Sequence, residues 1–281
     1  MHGVKMKDNL NISNLLRIYE TEISKNVKNK KKLYDFEINK MQYIEDIINM
    51  LNNGVVGHKH YNIFLIFEPK CRLVMSLSVK DKVINHFVTR YILEAKLSKY
   101  LDCRNVATRK GMGTDYAIRK VIKYINILKR KYKTFYVLKL DISKYFYSID
   151  HEVLKGLLID KLDDYEYNIV SDIIDTTNKE YINKTINKLK EDRDIPNYLY
   201  GKGLPIGNMT SQFLSIYYLF KLDYFIVHDL GLKYYIRYMD DFIILDSDLE
   251  KLKEAKEKIV EKLEMEYKLK VNGKKTWINN M

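Results

Sequence analysis

The chain has 281 residues, with 49 Lys and Arg against 37 Asp and Glu, and a formal net charge of +12 at pH 7. A chain of this length buries a sizeable core without staples, and the positive balance favours a polyanionic partner such as nucleic acid, although a biased use of Lys, Asn, Ile and Tyr explains the charge equally well. Cys71 and Cys103 lack zinc-type spacing, and neither a signal peptide nor about 18 consecutive apolar residues is present, which argues against a disulfide scaffold and a membrane protein and favours reduced thiols in the cytoplasm.

The first 60 residues contain no motif that points to a function, and we predict a helical extension there. Apolar residues at helical spacing occur over 13–52, on both sides of a basic stretch at 25–32. Such a stretch is usually a solvated face, although contact with a phosphate backbone also explains it. His58 and His60 are expected to be structural or solvated rather than a metal site.

Residues 61–133 are predicted to form a β-hairpin followed by helices. Apolar residues alternate over 61–79 about Glu68-Pro69-Lys70, as in a hairpin, and 80–100 returns to helical spacing. A loop at 111–114 precedes a further helix, for which Thr114 or Asp115 is a suitable cap.

Residues 134–281 are predicted to combine short strands with helices. An apolar strand over 134–142 ends at Asp141, and two short strands over 234–246 fold about Met239-Asp240. Helices are expected in a mainly polar insertion at about 151–200, over 209–228 after a turn-rich loop, and over 248–268, with Leu252, Ala255, Ile259 and Leu263 facing inward. The chain closes on a short strand or turn at 271–278.

Three carboxylates at predicted strand ends are candidates for a metal site. Asp141 ends one strand, and Asp240 and Asp241 lie between two β-prone runs where a surface turn more often has Asn-Gly. An isolated Asp-Asp turn is usually a solvated hairpin. Phosphoryl transfer by two metals, however, needs carboxylates that bridge ions about 3.5–4 Å apart, and magnesium prefers such oxygen ligands.

Four motifs, in the same order, resemble those of reverse transcriptases. Tyr238-Met239-Asp240-Asp241 is the tetrapeptide typical of that family, and residues 139–151 resemble its first catalytic motif in bacterial form. Residues 104–115 resemble the fingers motif, and residues 203–212 resemble the template and nucleotide loop. The resemblance runs from about residue 70 to residue 277. It implies an α+β fold, a right-hand polymerase with fingers (61–133) and palm (134–281), an antiparallel palm sheet backed by helices, and a thumb that is absent or vestigial.

The resemblance also implies roles for individual residues. Metal binding by two Mg²⁺ ions, with Mn²⁺ as an alternative, is expected at Asp141, the Ile142 carbonyl, Asp240 and Asp241, of which the three carboxylates are catalytic. Nucleotide binding is expected at Lys70, Arg72, Phe146, Ile206, Gly207, Gln212 and Lys275. Phe146 matches the aromatic residue that selects dNTPs, unless it is a core aromatic. Arg109 and Lys110 are candidates for nucleic-acid binding, or equally are exposed loop charges.

The implied function is RNA-directed DNA synthesis, and two departures from the family pattern leave its subtype open. Ile206 stands where most bacterial relatives have Gln. This variant resembles the error-prone enzymes of diversity-generating retroelements, although defence-associated enzymes that copy little or no template also vary at this position. Relatives continue beyond the Lys274-Lys275-Thr276 segment into a thumb. We therefore expect an accessory protein that supplies the missing grip, in addition to the RNA template, the DNA or RNA primer and dNTPs. The alternative is that the chain itself is a non-catalytic RNA-binding scaffold.

Overall fold

The structure, a computed structural model, describes residues 6–56, 60–67 and 70–281. His58 and the predicted turn at Glu68-Pro69 lie outside these residues. The strands are β1 (Asn62–Ile66), β2 (Arg72–Ser76), β3 (Tyr136–Asp141), β4 (Tyr234–Tyr238), β5 (Asp241–Asp246) and β6 (Trp277–Asn280). The α-helices are α1 (Met6–Asn9), α2 (Ile12–Ile18), α3 (Lys30–Ile38), α4 (Lys40–Asn52), α5 (Val79–Val88), α6 (Ala95–Leu97), α7 (Thr114–Lys131), α8 (Tyr145–Ser148), α9 (His151–Leu158), α10 (Asp164–Ile174), α11 (Glu180–Leu189), α12 (Met209–Tyr218), α13 (Phe220–Tyr224) and α14 (Leu249–Met265). π-Helical segments extend α2, α5 and α13, at Tyr19–Ile23, Thr89–Glu94 and Phe225–Asp229.

The chain divides into two compact units. Unit 1 comprises the described residues of Met1–Lys99 and Leu154–Leu214, and unit 2 comprises Tyr100–Val153 and Ser215–Met281. The predicted division into an extension (1–60), fingers and palm stays a prediction about the roles of these segments. The two compact units have boundaries that differ from those of the predicted segments. Residues 100–133 belong to the same unit as the strands of the predicted palm, whereas most of the helical insertion belongs to the same unit as the N-terminal residues.

Unit 1 contains the predicted N-terminal helices and the predicted hairpin. Buried apolar side chains lie at helical spacing on α2 and α4, which pack together and against α5; they are Leu15, Ile18, Ile44, Ile47 and Leu51. β1 and β2 pair antiparallel from Asn62 opposite Ser76 to Ile66 opposite Arg72. The loop before α12 is tied to β2, because the backbone N–H of Met75 donates to the carbonyl of Ile206 at 2.8 Å.

Unit 2 is built on a four-stranded antiparallel sheet in the order β4-β5-β3-β6. The amphipathic helices α7 and α14 pack against it. The four residues of α14 expected to face inward are all buried, because the 3.6-residue period places them on one side of the helix. The prediction that Thr114 or Asp115 caps α7 was wrong: Thr114 is the first helical residue, and Gly113 precedes it with φ +133° and no side-chain cap.

The observed combination of helices with antiparallel sheets confirms the predicted α+β class. Cys71 and Cys103 are free and exposed, as expected of thiols. In the part of the chain that the structure describes, none of the helices has the length and apolar character needed to cross a bilayer. The predicted absence of a thumb stays a prediction.

Candidate active site

The end of the unit 2 sheet brings three carboxylates together. Asp141 at the end of β3 lies directly opposite Asp241 at the start of β5, and directly opposed residues of an antiparallel pair project from the same face. The backbone N–H of Ile142 donates to the carbonyl of Asp240 at 3.3 Å. Residues more than 90 positions apart in the chain are thus neighbours, as expected from the strand ends.

A two-residue turn sets the position of Asp240. β4 and β5 pair up to Tyr238 opposite Asp241, so that only Met239 and Asp240 connect them. Such tight turns require left-handed backbone conformations, and Met239 has φ +57°. This conformation costs a non-glycine residue about 1 kcal/mol or more, which the surrounding contacts must offset.

The carboxylates carry negative charge that the protein leaves only partly compensated. Burial, together with the nearby negative charges of Asp241 and Asp141, raises the pKa of Asp240 to about 6. Oδ1 of Asp241 is buried and accepts no hydrogen bond, although the ammonium of Lys139 lies 3.5 Å away. A buried carboxylate oxygen that accepts no hydrogen bond is costly, and a long ion pair with Lys139 compensates it only in part, so this position suits a cation.

Lys275 neutralises the third carboxylate. Its Nζ lies 2.9 Å from Oδ2 and 3.1 Å from Oδ1 of the buried Asp141. The hydrogen bond to Asp141 raises the pKa of the Lys275 ammonium. The carbonyl of Asp141 also accepts the backbone N–H of Asn272 at 2.7 Å. The segment around Lys275, predicted to lie near the active site, therefore contacts a candidate metal ligand directly.

The donor set suits a hard divalent cation, although it is not already arranged as a cage. Across residues 6–56, 60–67 and 70–281, no group of three or more His, Cys, Asp or Glu side chains is positioned to hold a metal. Oδ1 of Asp241, which accepts no hydrogen bond, and the carboxyl of Asp240, whose pKa is raised, are groups that a bound cation would stabilise. Asp141 would join them by exchanging its contact with Lys275 for the metal.

A fully buried arginine, which the sequence analysis missed, holds the turn. The guanidinium of Arg237 forms an ion pair with Asp223, with Nε 2.7 Å from Oδ1 and Nη2 2.6 Å from Oδ2. Its Nη1 donates to the carbonyl of Met239 at 2.9 Å, and Nη2 donates to the carbonyl of Ile216 at 2.9 Å. The arginine thereby fixes the strained residue that immediately precedes Asp240.

Two aromatic residues border the strand end. Tyr145 is buried and donates from its hydroxyl to the carbonyl of Ser215 at 2.6 Å. Phe146 is half-buried and packs edge-on against Tyr145, with ring centroids 5.9 Å apart. Phe146 is therefore not a member of the fully buried core, which leaves its predicted role in nucleotide selection open.

The predicted nucleic-acid contacts in the loop before α7 differ in their environment. Arg109 is half-buried, and its Nη1 donates to the carbonyls of Asp102 at 2.6 Å and Asn105 at 3.0 Å. Lys110 is exposed. Arg109 thus shapes its own loop, and binding of nucleic acid by either residue stays a prediction.

The remaining predicted site residues belong to unit 1. Lys70 precedes β2 and Arg72 is the first residue of that strand, and both are exposed. Ile206 is half-buried, and Gln212 is exposed on α12. Gly207 has φ +117°, and a Cβ there would lie 3.1 Å from the Met75 carbonyl oxygen, so this loop position requires glycine. Nucleotide binding by these residues stays a prediction.

Comparisons with known proteins bear on the family and the fold of the chain. The family model described as reverse transcriptase (RNA-dependent DNA polymerase) matches residues 58–279. Similar solved structures include apo telomerase from Candida tropicalis truncated from its C-terminal domain, with 15% identity, TM-score 0.56, and coverage of 80% of this chain and 50% of that one. A second structure of apo telomerase from the same organism gives 16% identity, TM-score 0.55, and coverage of 80% of this chain and 44% of that one. Its complex with the TWJ fragment of telomeric RNA gives 17% identity, TM-score 0.53, and coverage of 79% and 41%.

At these identities the likeness to telomerase shows the fold, and the chain spans half or less of the length of those structures. A search of the curated proteins finds no match. The family is one of RNA-directed DNA polymerases, which are nucleotidyltransferases, and this is the enzyme class expected from the sequence. Four ordered motifs, an antiparallel sheet with carboxylates at its turn end, and a match over residues 58–279 lead to one conclusion: the chain belongs to the reverse transcriptase family.

Proposed function

We propose that the chain is an RNA-directed DNA polymerase that adds dNTPs to the 3′-hydroxyl of a DNA or RNA primer on an RNA template. The observation that carries the proposal is the meeting of Asp141, Asp240 and Asp241 at the end of the unit 2 sheet. Their incompletely compensated charge supports the binding of divalent metal, with Mg²⁺ first and Mn²⁺ as the alternative.

The residues of the site have distinct tasks in this proposal. Asp141, Asp240 and Asp241, with the Ile142 carbonyl as an additional ligand, would hold two divalent cations. When bound, such cations would supply the positive charge that activates an attacking hydroxyl and stabilises a leaving pyrophosphate. Lys275 keeps Asp141 neutralised until the site is loaded, and the buried guanidinium of Arg237 keeps Asp240 in place.

Substrate selection belongs to residues outside the carboxylate cluster. Lys70 and Arg72 bind the incoming triphosphate, because a guanidinium fork matches phosphate oxygens. Phe146 discriminates against a ribose 2′-hydroxyl, which predicts a preference for dNTPs over rNTPs. Ile206, Gly207 and Gln212 form the loop that contacts the nucleotide and template, and Arg109 and Lys110 contact nucleic-acid phosphates.

Primer extension tests the proposal directly. A labelled primer annealed to a defined RNA is incubated with dNTPs and MgCl₂, and extension by the parent chain is compared with that of Asp240→Asn. We expect extension by the parent and its loss in the variant. Asp246→Asn is the matched control, because Asp246 lies at the opposite end of β5 and pairs with Lys251 at 3.3 Å.

Failure of the parent chain to extend any primer, with Mg²⁺ or Mn²⁺ and with or without an added thumb-supplying protein, would contradict the catalytic proposal. RNA binding that survives Asp240→Asn would then favour a non-catalytic scaffold. Equal activity of Asp240→Asn and Asp246→Asn would also contradict it, since it would place the chemistry elsewhere.

The sequence of the product distinguishes the subtypes. Ile206 replaces the Gln of most bacterial relatives, so a polar side chain near the templating position is absent. Without its hydrogen bond, discrimination between bases is relaxed. We therefore propose error-prone copying, as in a diversity-generating retroelement, with errors concentrated at template adenines. A random or homopolymeric product would instead identify a defence-associated or template-independent enzyme.

A further inference from the structure

After α14 the chain returns to the end of β3 through residues 267–275, which we name the return segment. The backbone N–H of Ser143 donates to the carbonyl of Lys270, within this segment, at 2.8 Å. At the end of the segment, the ammonium of Lys275 reaches the carboxylate of Asp141 at 2.9 Å. The position of this ammonium therefore depends on how the rest of the return segment is held.

Lys268, near the start of the return segment, has an unfavourable backbone conformation. Its φ of +55° lies in the left-handed region, and a left-handed residue just beyond the end of a helix is usually glycine. A lysine in this conformation carries a cost that its contacts must offset. Its Nζ lies 3.0 Å from Oδ2 of the buried Asp150. This ion pair gives a physical reason for a lysine at a position that suits glycine.

Asp150 is itself held in place by hydrogen bonds. Its Oδ1 accepts the backbone N–H of Val153, in the first turn of α9, at 3.2 Å. The backbone N–H of Asp150 donates to the hydroxyl of Tyr218 at 3.3 Å, and this hydroxyl donates to the carbonyl of Tyr267 at 2.7 Å. Two adjacent residues of the return segment, Tyr267 and Lys268, are therefore tied to the same fixed aspartate, one through a tyrosine hydroxyl and one directly.

The other lysines of the return segment show that this contact is selective. Lys270 and Lys274 are exposed, and in the part of the chain that the structure describes neither lies within ion-pair distance of a carboxylate. Lys268 and Lys275 do pair with carboxylates, and both partners belong to the stretch 141–150. Ion pairs therefore fix the segment to this one stretch near both of its ends.

We propose that Lys268 and Asp150 are positioning residues, whose ion pair places the ammonium of Lys275 on the carboxylate of Asp141. Without the pair, the return segment gains freedom, and Lys275 spends less time on that carboxylate. A divalent cation then meets less competition for Asp141. The inference rests on the proposed function, because it concerns the neutralisation of the candidate metal site before cations bind.

Binding of Mn²⁺ to the full chain tests the proposal, measured by the electron paramagnetic resonance signal of the free ion, with Asp240→Asn defining the ions bound elsewhere. Lys268→Met has a side chain of similar length and the same backbone cost but no ammonium, and we expect its Kd for Mn²⁺ to fall severalfold. Lys268→Arg retains a cation and should restore the Kd of the parent. Lys251→Met is the matched control, because it makes the same substitution at a lysine of unit 2 that pairs with Asp246 at 3.3 Å. Its Kd should equal that of the parent.

A second background separates positioning from a general effect on stability. In Lys275→Gln the ammonium is absent, so the addition of Lys268→Met should change the Kd for Mn²⁺ no further. The inference is overturned by the same severalfold change in both backgrounds, by an unchanged or raised Kd in Lys268→Met, or by an equal change in Lys251→Met. Circular dichroism verifies that each variant is folded.

Hydrogen exchange without metal gives an independent readout. The N–H groups of Ser143 and Asn272 join the return segment to the end of β3, and in Lys268→Met they should exchange severalfold faster. Exchange in β4 and β5 should be unchanged. Equal acceleration throughout unit 2 would assign the ion pair to overall stability alone, and no acceleration at Ser143 and Asn272 would likewise overturn the inference.

Failure of this inference is distinguishable from failure of the proposed function. A parent chain that neither binds Mn²⁺ nor extends a primer would overturn the function, while faster exchange at Ser143 and Asn272 in Lys268→Met would still support the positioning role. Primer extension by the parent, with Mn²⁺ affinity and exchange rates that do not respond to Lys268→Met, would overturn the inference alone.

Discussion

Arg237 is a fully buried cation, and one of its hydrogen bonds holds the turn beside the candidate metal ligands. Its ion pair with Asp223 compensates its charge, which a buried guanidinium requires. Its remaining donors bond the carbonyls of Met239 and Ile216. Because a guanidinium is planar and offers a fixed fork of donors, one side chain sets both the charge balance and the geometry of the turn.

Replacement of Arg237 by Lys keeps the charge beside Asp223 and removes the fork. We expect the variant to fold, and kcat for dNTP incorporation to fall about tenfold or more, because displacement of catalytic groups by about 1 Å has large effects. The KM for dNTP should change little, since Arg237 contacts no substrate. Steady-state primer extension measures both constants.

Tyr235→Phe is the control for this prediction. The hydroxyl of Tyr235 donates to the same carboxylate of Asp223 at 2.6 Å without contacting the turn. Its removal should lower the free energy of unfolding by about 1 kcal/mol and leave kcat near that of the parent. Equal losses of kcat in the two variants would mean that the network supports only overall stability.

At the scale of elements, the loop at 201–207 depends on its close approach to β2. The hydrogen bond from Met75 to Ile206 brings the two backbones together, and Gly207 follows with a positive φ and no room for a Cβ. The nearest atom is a backbone carbonyl oxygen, which cannot move aside as a flexible side chain would. The placement of the predicted nucleotide loop therefore depends on this glycine.

Gly207→Ala should weaken the docking of this loop. We expect a loss of roughly 1–3 kcal/mol in the free energy of unfolding, because the added Cβ meets backbone and the φ is unfavourable. We also expect a raised KM for dNTP.

Gly156→Ala is a control of opposite sign. Gly156 is exposed within α9 with no atom near its would-be Cβ, so alanine there should be neutral or stabilising by up to about 1 kcal/mol. Denaturant titration measures both, and equal destabilisation would contradict the argument.

The elements that the sequence analysis predicted are those with a strong local period. An apolar-rich run predicted β3, β-prone runs predicted β4 and β5, and helical spacing predicted the inward face of α14. The start of α7 was mistaken because glycine begins it without a side-chain cap. In the sequence alone, a helix that begins after an uncapped glycine cannot be distinguished from an ordinary loop.

Contacts between distant residues lie beyond such patterns. Strand ends and motif order predicted that Asp141 would meet Asp240 and Asp241, and the structure brings them together. The pairing of Arg237 with Asp223 was not predicted, since nothing local in α13 distinguishes Asp223 from a solvated residue. An arginine at an inward position of a strand, two residues after the buried Tyr235, was the available signal.

At the scale of the whole molecule, the candidate site lowers the stability of the chain that carries it. The pKa of Asp240 is raised by burial from 3.8 to about 6 in the folded state. The folded state therefore binds this proton more tightly than the unfolded state does. It follows that the ionised carboxylate destabilises the fold above pH 6, and that this cost disappears as the pH falls from about 6 to below 3.8.

Without divalent metal, Asp240→Asn should be more stable than the parent chain at neutral pH. We expect a difference of about 2 kcal/mol, since a pKa unit is worth about 1.4 kcal/mol and partial exposure of the carboxyl reduces the effect. The difference should vanish in acid, where both side chains are neutral. Thermal denaturation with a chelator, at neutral pH and in acid, measures it.

Divalent metal should reverse this order, because a cation that binds only the folded state stabilises it by mass action. With saturating MgCl₂ or MnCl₂ at neutral pH, the melting temperature of the parent should rise, and that of Asp240→Asn should rise much less. Hydrogen exchange should slow in β3, the turn and β5 of unit 2, while unit 1 is unaffected. An equal rise in both proteins, or protection confined to unit 1, would mean that the ions bind away from these carboxylates.

Loss of the Lys275 contact in Lys275→Gln should tighten metal binding, because Asp141 no longer has to exchange an ammonium for the ion.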